Sequence, residues 1–167
     1  MTEKIFRKYL EIKNLAEFNE VKKPSNNYSI KLVNPKNLQL NKFFYKNIGK
    51  NCQWTDRLIW DDLNWTNYIS STKLSTYVLR DKEEFAGYFE IISNKDLKEV
   101  EIAYFGILEE YFGKKLGGYL LSEAIKLSFS MGFSRIWVHT CSLDHKNALN
   151  NYLSRGMKIF KSETLIR

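Results

Sequence analysis

The chain has 167 residues, of which 44% are hydrophobic and 27% charged, with eight Gly and two Pro. That is one globular domain able to bury about 70% of its unfolded surface; it excludes disorder, and no run reaches the ~18 apolar residues of a membrane span. The net charge of +7 favours anionic partners or reflects a lysine-rich solvated surface, and two cysteines without a signal-peptide core at Met1–Leu10 predict a reduced, cytoplasmic protein, monomer or homodimer.

Lys4–Glu20 carries Ile5, Phe6, Tyr9, Leu10, Ile12, Leu15 and Phe18 at a spacing closer to helix than strand. A breaker cluster at 22–27 precedes a strand over Tyr28–Val33. Asn34-Pro35 opens a turn, and a helix follows through Leu38–Ile48, stopped by Gly49. Gln53–Tyr68, with Trp54, Trp60 and Trp65, is helical or irregular. Leu74–Arg80, Phe85–Ser93 and Val100–Leu108 are rich in β-branched and aromatic residues, and short polar turns between them predict an antiparallel meander. Leu116, Leu120, Ala124, Leu127 and Met131 then mark one face of a helix over Gly113–Met131. Arg135–Thr140 is a strand, Asp144 caps a helix that runs to Arg155, and Met157–Ser162 is the last strand. The fold predicted is three-layer α/β. Its mixed central sheet is antiparallel on the N-terminal side and parallel across a right-handed crossover, with helices on both faces. Residues 1–167 form a single domain, and 1–27 are an N-terminal extension with no assigned role.

The chemistry concentrates in Phe105–Leu121, FGILEEYFGKKLGGYLL. A strand, a loop with Gly113, Gly117 and Gly118, and an amphipathic helix present free backbone N–H groups at the positive end of a helix dipole. Such a junction suits a pyrophosphate, and Lys114 and Lys115 add charge. Glycine here also serves tight helix–sheet packing. Neither Walker-loop nor dinucleotide-fingerprint spacing is present.

Val100–Gly118 resembles motif A of the GNAT superfamily of acetyl-CoA-dependent N-acyltransferases, in which a strand and Gln/Arg-x-x-Gly-x-Gly/Ala precede a helix. The six positions are Phe112, Gly113, Lys114, Lys115, Leu116 and Gly117. Gly117 matches; Phe112 and Lys115 depart, the latter where a glycine conformation strains a lysine. Ala148–Met157 is similar to motif B, Ala-x-x-x-Tyr-x-x-x-Gly-Phe, with Met157 for Phe. The two motifs together look like a bacterial GNAT subgroup whose acceptor is open.

The resemblance implies acetyl-CoA as acyl donor and no metal. Phe105, Gly106 and Ile107 would hold the pantetheine and thioester where the sheet splits. Phe112, Gly113, Lys114, Lys115, Leu116, Gly117 and Gly118 would hold the pyrophosphate, and His145 or Asn147 would touch the pantetheine arm. It further implies an N-acetyltransferase that acts by direct attack of a primary amine in a ternary complex. An alkylammonium with a pKa near ~10 must first lose a proton. Glu101, sharing a face with Ala103, Phe105 and Ile107 unless a bulge intervenes, is the candidate base; Glu99 or a water chain is the alternative. Tyr152 is the candidate acid toward the leaving sulfur. Trp54–Trp65 would form the acceptor-side lid, where Asp56, Asp61 and Asp62 could receive a cationic amine.

Other readings compete. His139, Cys141, Asp144 and His145 suggest a Cys–His–Asp nucleophile or a metal site, or simply loop packing. A non-catalytic acyl-CoA-binding or regulatory domain suits a degraded loop. An RNA-binding module suits the charge but has no ribonucleoprotein motif, so no nucleic-acid or membrane partner is expected. The acceptor is a small amine, a peptide N-terminus, a lysine side chain or an aminoacyl group.

Overall fold

The β-branched and aromatic runs in the middle of the chain form the expected meander. A computed structural model describes residues 2–167; Met1 lies outside the described residues. The chain runs β1 (Lys4–Ile12), β2 (Tyr28–Leu32), α1 (Leu38–Cys52), α2 (Asp62–Ile69), β3 (Leu74–Asp81) and β4 (Glu84–Asn94). It continues through β5 (Glu99–Ile107), α3 (Leu116–Ser130), β6 (Arg135–Cys141), α4 (Ala148–Ser154) and β7 (Lys158–Ile166), with 3-10 turns at Leu15–Glu17 and Glu109–Tyr111. All seven strands join one sheet in the order β2-β3-β4-β5-β6-β1-β7. Neighbours are antiparallel except β5 and β6, the parallel pair that α3 bridges.

Helices cover both faces. Gly106 lies against Ile48 of α1, and Phe44 stacks on Tyr88 with ring centroids 4.8 Å apart. The neighbouring Phe105 meets Tyr152 of α4 from the other side. Leu116, Leu120, Leu121, Ala124 and Ile125 of α3 join Val100, Ile102, Ile136 and Val138 in the buried core. Met131 is exposed because the helix ends at Ser130, one residue before it.

Three local expectations are corrected. Lys4–Ile12 is strand β1, paired on both sides, not a helix. A register shift between Tyr9 and Leu10 interrupts the two-residue alternation, so Ile5, Leu10 and Ile12 are all buried and the spacing imitates a helix. Helix α1 passes Gly49 and ends at Cys52, capped by Gln53 at φ 53°. Gly49 is there for room: a Cβ would lie 2.8 Å from Cβ of Trp54. Asp144 does not cap α4; its Oδ2 accepts from Thr140 Oγ1 at 2.5 Å and from the Cys141 N–H at 3.0 Å, so it ties down the turn after β6. The segment after β1 straps the α3/α4 face, with Asn19 N–H on the Arg155 carbonyl and Val21 N–H on Ser122 Oγ.

Candidate active site

The two parallel strands part company early. β5 and β6 pair only at Glu99–Arg135, Val100–Ile136 and Glu101–Trp137. Beyond that, β5 follows β4 to Ile107 while β6 follows β1 to Cys141. The split opens into a cavity of about 1320 Å³ that reaches from the α3 N-terminus to the ends of β1 and β7. A bulge shapes its wall. Glu90 faces Tyr104 and Ile91 faces Ile102 across the ladder, leaving Ala103 as the extra residue. Glu101, Tyr104 and Gly106 therefore share the α1 face, while Val100, Ile102 and Phe105 face α3 and α4. Simple alternation, which groups Glu101 with Phe105 and Ile107, is overturned by that one inserted residue. Phe105, Gly106 and Ile107 all line the cavity.

The glycine loop closes one end. Gly113 at φ 78° and Lys115 at φ 62° both adopt the left-handed conformation, so the lysine takes the backbone geometry that glycine would hold without strain. Helix α3 starts at Leu116 with no side-chain cap, leaving its first-turn N–H groups without helical partners. Phe112, Gly113, Lys115, Leu116, Gly117 and Gly118 line the cavity here. Lys114 instead places its ammonium 5.3 Å from the Tyr111 ring centroid. Asn151 Nδ2 donates to the Gly117 carbonyl at 3.1 Å, fixing α4 to the loop. Phe112 packs edge-on to His145, whose Nδ1 accepts the Asn147 N–H at 3.2 Å, and His145 and Asn147 both reach the cavity. Arg155 was not legible as a site residue: its guanidinium also lines this end, against Gly118, and its buried Nε has no partner.

Glu101 stands on the cavity floor. Burial pushes its carboxyl above the usual range, and the charge of Arg57 offsets part of that rise. It forms no ion pair among the described residues, whereas Glu99 on the same face is bound to Arg135 at 2.9 Å, which also holds Glu11 at 2.7 Å. Tyr152 is buried and lines the cavity; burial raises its phenol far above the ordinary value, so it keeps its proton. His139 lines the same space, and burial followed by Arg7 lowers its pKa, leaving the imidazole neutral near pH 7. Burial raises both thiols, Cys52 to about 11, which favours the thiol over the nucleophilic thiolate. Asp144 turns to Thr140 and the Cys141 backbone, so no Cys–His–Asp relay forms, and no three His, Cys, Asp or Glu side chains among the described residues converge on a metal position.

The Trp54–Trp65 segment holds a constellation that spacing did not reveal. Arg57 is 5% exposed, and its guanidinium lies 4.0 Å from the ring centroids of Tyr68 and Tyr104 and 4.8 Å from that of Trp60. Its Nη1 donates to Glu90 Oε1 at 3.2 Å. The fully buried Glu90 also accepts from the Tyr68 hydroxyl at 2.6 Å and Asn41 Nδ2 at 2.8 Å. A buried ion pair survives only when satisfied in this way. Of the three aspartates in this segment, Asp56 lines the cavity, Asp61 caps α2, and Asp62 pairs with Lys42.

A mixed sheet whose parallel pair splits beside a glycine loop and an uncapped helix is the fold class of the N-acetyltransferases. A GCN5-related N-acetyltransferase from Sphaerobacter thermophilus superposes with a TM-score of 0.71 at 13% identity, over 97% of this chain and 50% of that one. The ribosomal-protein-S18-alanine N-acetyltransferase from Escherichia coli gives 0.64 at 13% identity, over 83% and 90%. An aminoglycoside acetyltransferase from an uncultured soil metagenomic sample gives 0.65 at 13% identity, over 80% and 90%. Four of the matched structures are longer, and the chain spans 50 to 62% of their length. Among curated proteins, no sequence matches this chain. The Acetyltransferase (GNAT) family matches residues 36–157, and the chain belongs to that family.

Proposed function

We propose that this GNAT acetyltransferase transfers the acetyl group of acetyl-CoA to a primary amine, with both substrates bound together. The observation that carries the reading is the single cavity: one end offers unpartnered backbone N–H groups, and its floor offers an unpaired carboxylate. The lining fits acetyl-CoA. Gly113, Lys115, Leu116, Gly117 and Gly118 would receive the pyrophosphate through backbone N–H groups at the helix N-terminus, and Arg155 would add its free donor. Parted strand edges at Phe105, Gly106 and Ile107 offer main-chain partners to an extended arm. When bound, acetyl-CoA supplies an activated acetyl group and a thiolate leaving group.

The residues of the chain do the proton work. Glu101, its affinity for a proton raised by burial, takes one from the acceptor ammonium and exposes the nitrogen lone pair. As the nitrogen bonds the acetyl carbon and the carbon–sulfur bond breaks, Tyr152, protonated and facing the cavity, gives a proton to the departing sulfur, and the second proton shed by the nitrogen restores the phenol. Aromatic walls from Tyr104 and Trp54 exclude water at the floor. Direct attack requires no enzyme nucleophile, in keeping with the raised thiol pKa values.

Thermal unfolding with acetyl-CoA, CoA and ATP tests this reading. At ~100-fold above Kd, linkage gives about 2.7 kcal/mol, a rise on the order of 5–10 °C for this chain length. A rise with both CoA species but not ATP supports coenzyme binding, and thiol release with an amine present supports transfer. Absence of a shift at millimolar acetyl-CoA overturns the reading.

A further inference from the structure

The cavity end remote from the glycine loop carries charges that the coenzyme does not need. In the antiparallel register, Arg7 of β1 sits beside Cys141 of β6 and Glu163 of β7, and Ile5 sits beside Leu165. Arg7, His139 and Cys141 thus project from the same sheet face as Trp137, the register neighbour of Glu101. The cavity reaches all of this wall except Trp137 and Glu163, and it also touches Arg167 just beyond β7. Asp56 faces it from the segment after α1.

What matters is which of these charges is already satisfied. Arg57, which also lines the cavity, is neutralised by the buried Glu90 and enclosed by rings. Arg7 is not closed off: Nη1 lies 3.5 Å from the Tyr9 hydroxyl and 3.7 Å from Glu163, and Nε is buried without a partner. Arg167 donates to Thr55 Oγ1 at 3.2 Å and makes no ion pair among the described residues. Glu101 and Asp56 likewise make none among them. One wall therefore offers two guanidinium groups with spare donors, and the floor and lid offer two unpaired carboxylates. A purely cationic amine would satisfy the carboxylates and meet both arginines unfavourably. A molecule bearing an ammonium and a carboxylate satisfies both sets, the guanidinium fork being suited to a carboxylate. The net charge of +7 also opposes the approach of polycations.

The geometry points to a free amino acid as the acceptor, with an amino group at Glu101 and its carboxylate held by Arg7 and Arg167 as specificity-determining residues. This rests on the acetyl-transfer reading above.

The test measures thiol release from acetyl-CoA with the twenty amino acids, each against its own carboxamide, which keeps the amine and removes the negative charge. At least one amino acid should exceed its carboxamide by about tenfold or more in kcat/KM, the effect of a charged hydrogen bond. Arg7→Gln and Arg167→Gln should each bring that ratio toward one through KM for the amino acid, and Arg7→Lys should retain part of the preference. The thermal shift with acetyl-CoA is measured on every variant and shows that the fold and the coenzyme end are intact. Carboxamides that perform as well as the acids overturn the proposal, as do variants that leave the ratio unchanged. If no acceptor in the panel releases thiol while acetyl-CoA still raises the unfolding temperature, the amino-acid proposal falls and the coenzyme reading stands. If acetyl-CoA gives no shift, both fall.

Discussion

Glu99 and Glu101 lie two residues apart on the same strand face, and their surroundings give them different work. Glu99 is held by Arg135, while Glu101 is half-buried and unpaired among the described residues. A general base contributes ~10²–10⁴-fold, so Glu101→Gln should lower kcat by that order in steady-state kinetics. Activity of the parent enzyme should fall as pH drops through the raised Glu101 value, and the variant should lose that limb. Stability should move the other way. A carboxyl raised by folding is penalised when ionised; the penalty is absent below the unfolded value near ~4.3 and grows as pH rises through the folded one. Glu101→Gln should therefore raise the unfolding temperature at pH 7 and not at pH 4. Lys115 permits a complementary experiment. It holds φ 62° where glycine is unstrained, so Lys115→Gly should gain up to about 1 kcal/mol. That is a rise of ~2–4 °C for this length, with coenzyme binding retained because the loop acts through its backbone.

At the scale of elements, the meander, the crossover and both motif-bearing helices were readable because their cues are local: alternation, i/i+4 spacing, and glycine at turns. The glycine loop was legible for the same reason; Gly113, Gly117 and Gly118 sit in one contiguous strand–loop–helix pattern. What escaped depends on pairing between distant segments. The bulge at Ala103 exists only against β4, and it reassigns which side chains accompany Glu101. The Arg57–Glu90 pair joins residues 33 apart through the α1–α2 segment and β4, and nothing in either neighbourhood announces it. This pair anchors the segment between α1 and α2 to the sheet. Removing one partner of a buried pair costs roughly 3–5 kcal/mol, so Arg57→Leu should lower the unfolding temperature on the order of 10 °C. Lys42→Ala, which removes an exposed ion pair with Asp62, should shift it by about 1 kcal/mol or less. Calorimetry distinguishes the two.

Across the whole molecule, strand β1 is the member whose position spacing misread, and it is the one that closes the sheet. It lies between β6 and β7, with Leu10 and Ile12 at 0% and 1% exposure. Deleting residues 2–12 would leave two strands with unpaired edges and an open core, so the truncated chain should lose cooperative unfolding by circular dichroism. The register also pairs early residues with late ones: Tyr9 hydrogen-bonds Glu163, 154 positions along the chain. On the ribosome, β1 is made before either of its neighbours and stays unpaired until β6 and then β7 follow. The segments around the glycine loop, β5 through α4, are all made before β7. A nascent chain can thus pair β1 with β6 before β7 exists, and the exposed outer edge of β1 makes that interval the one in which it most needs a chaperone.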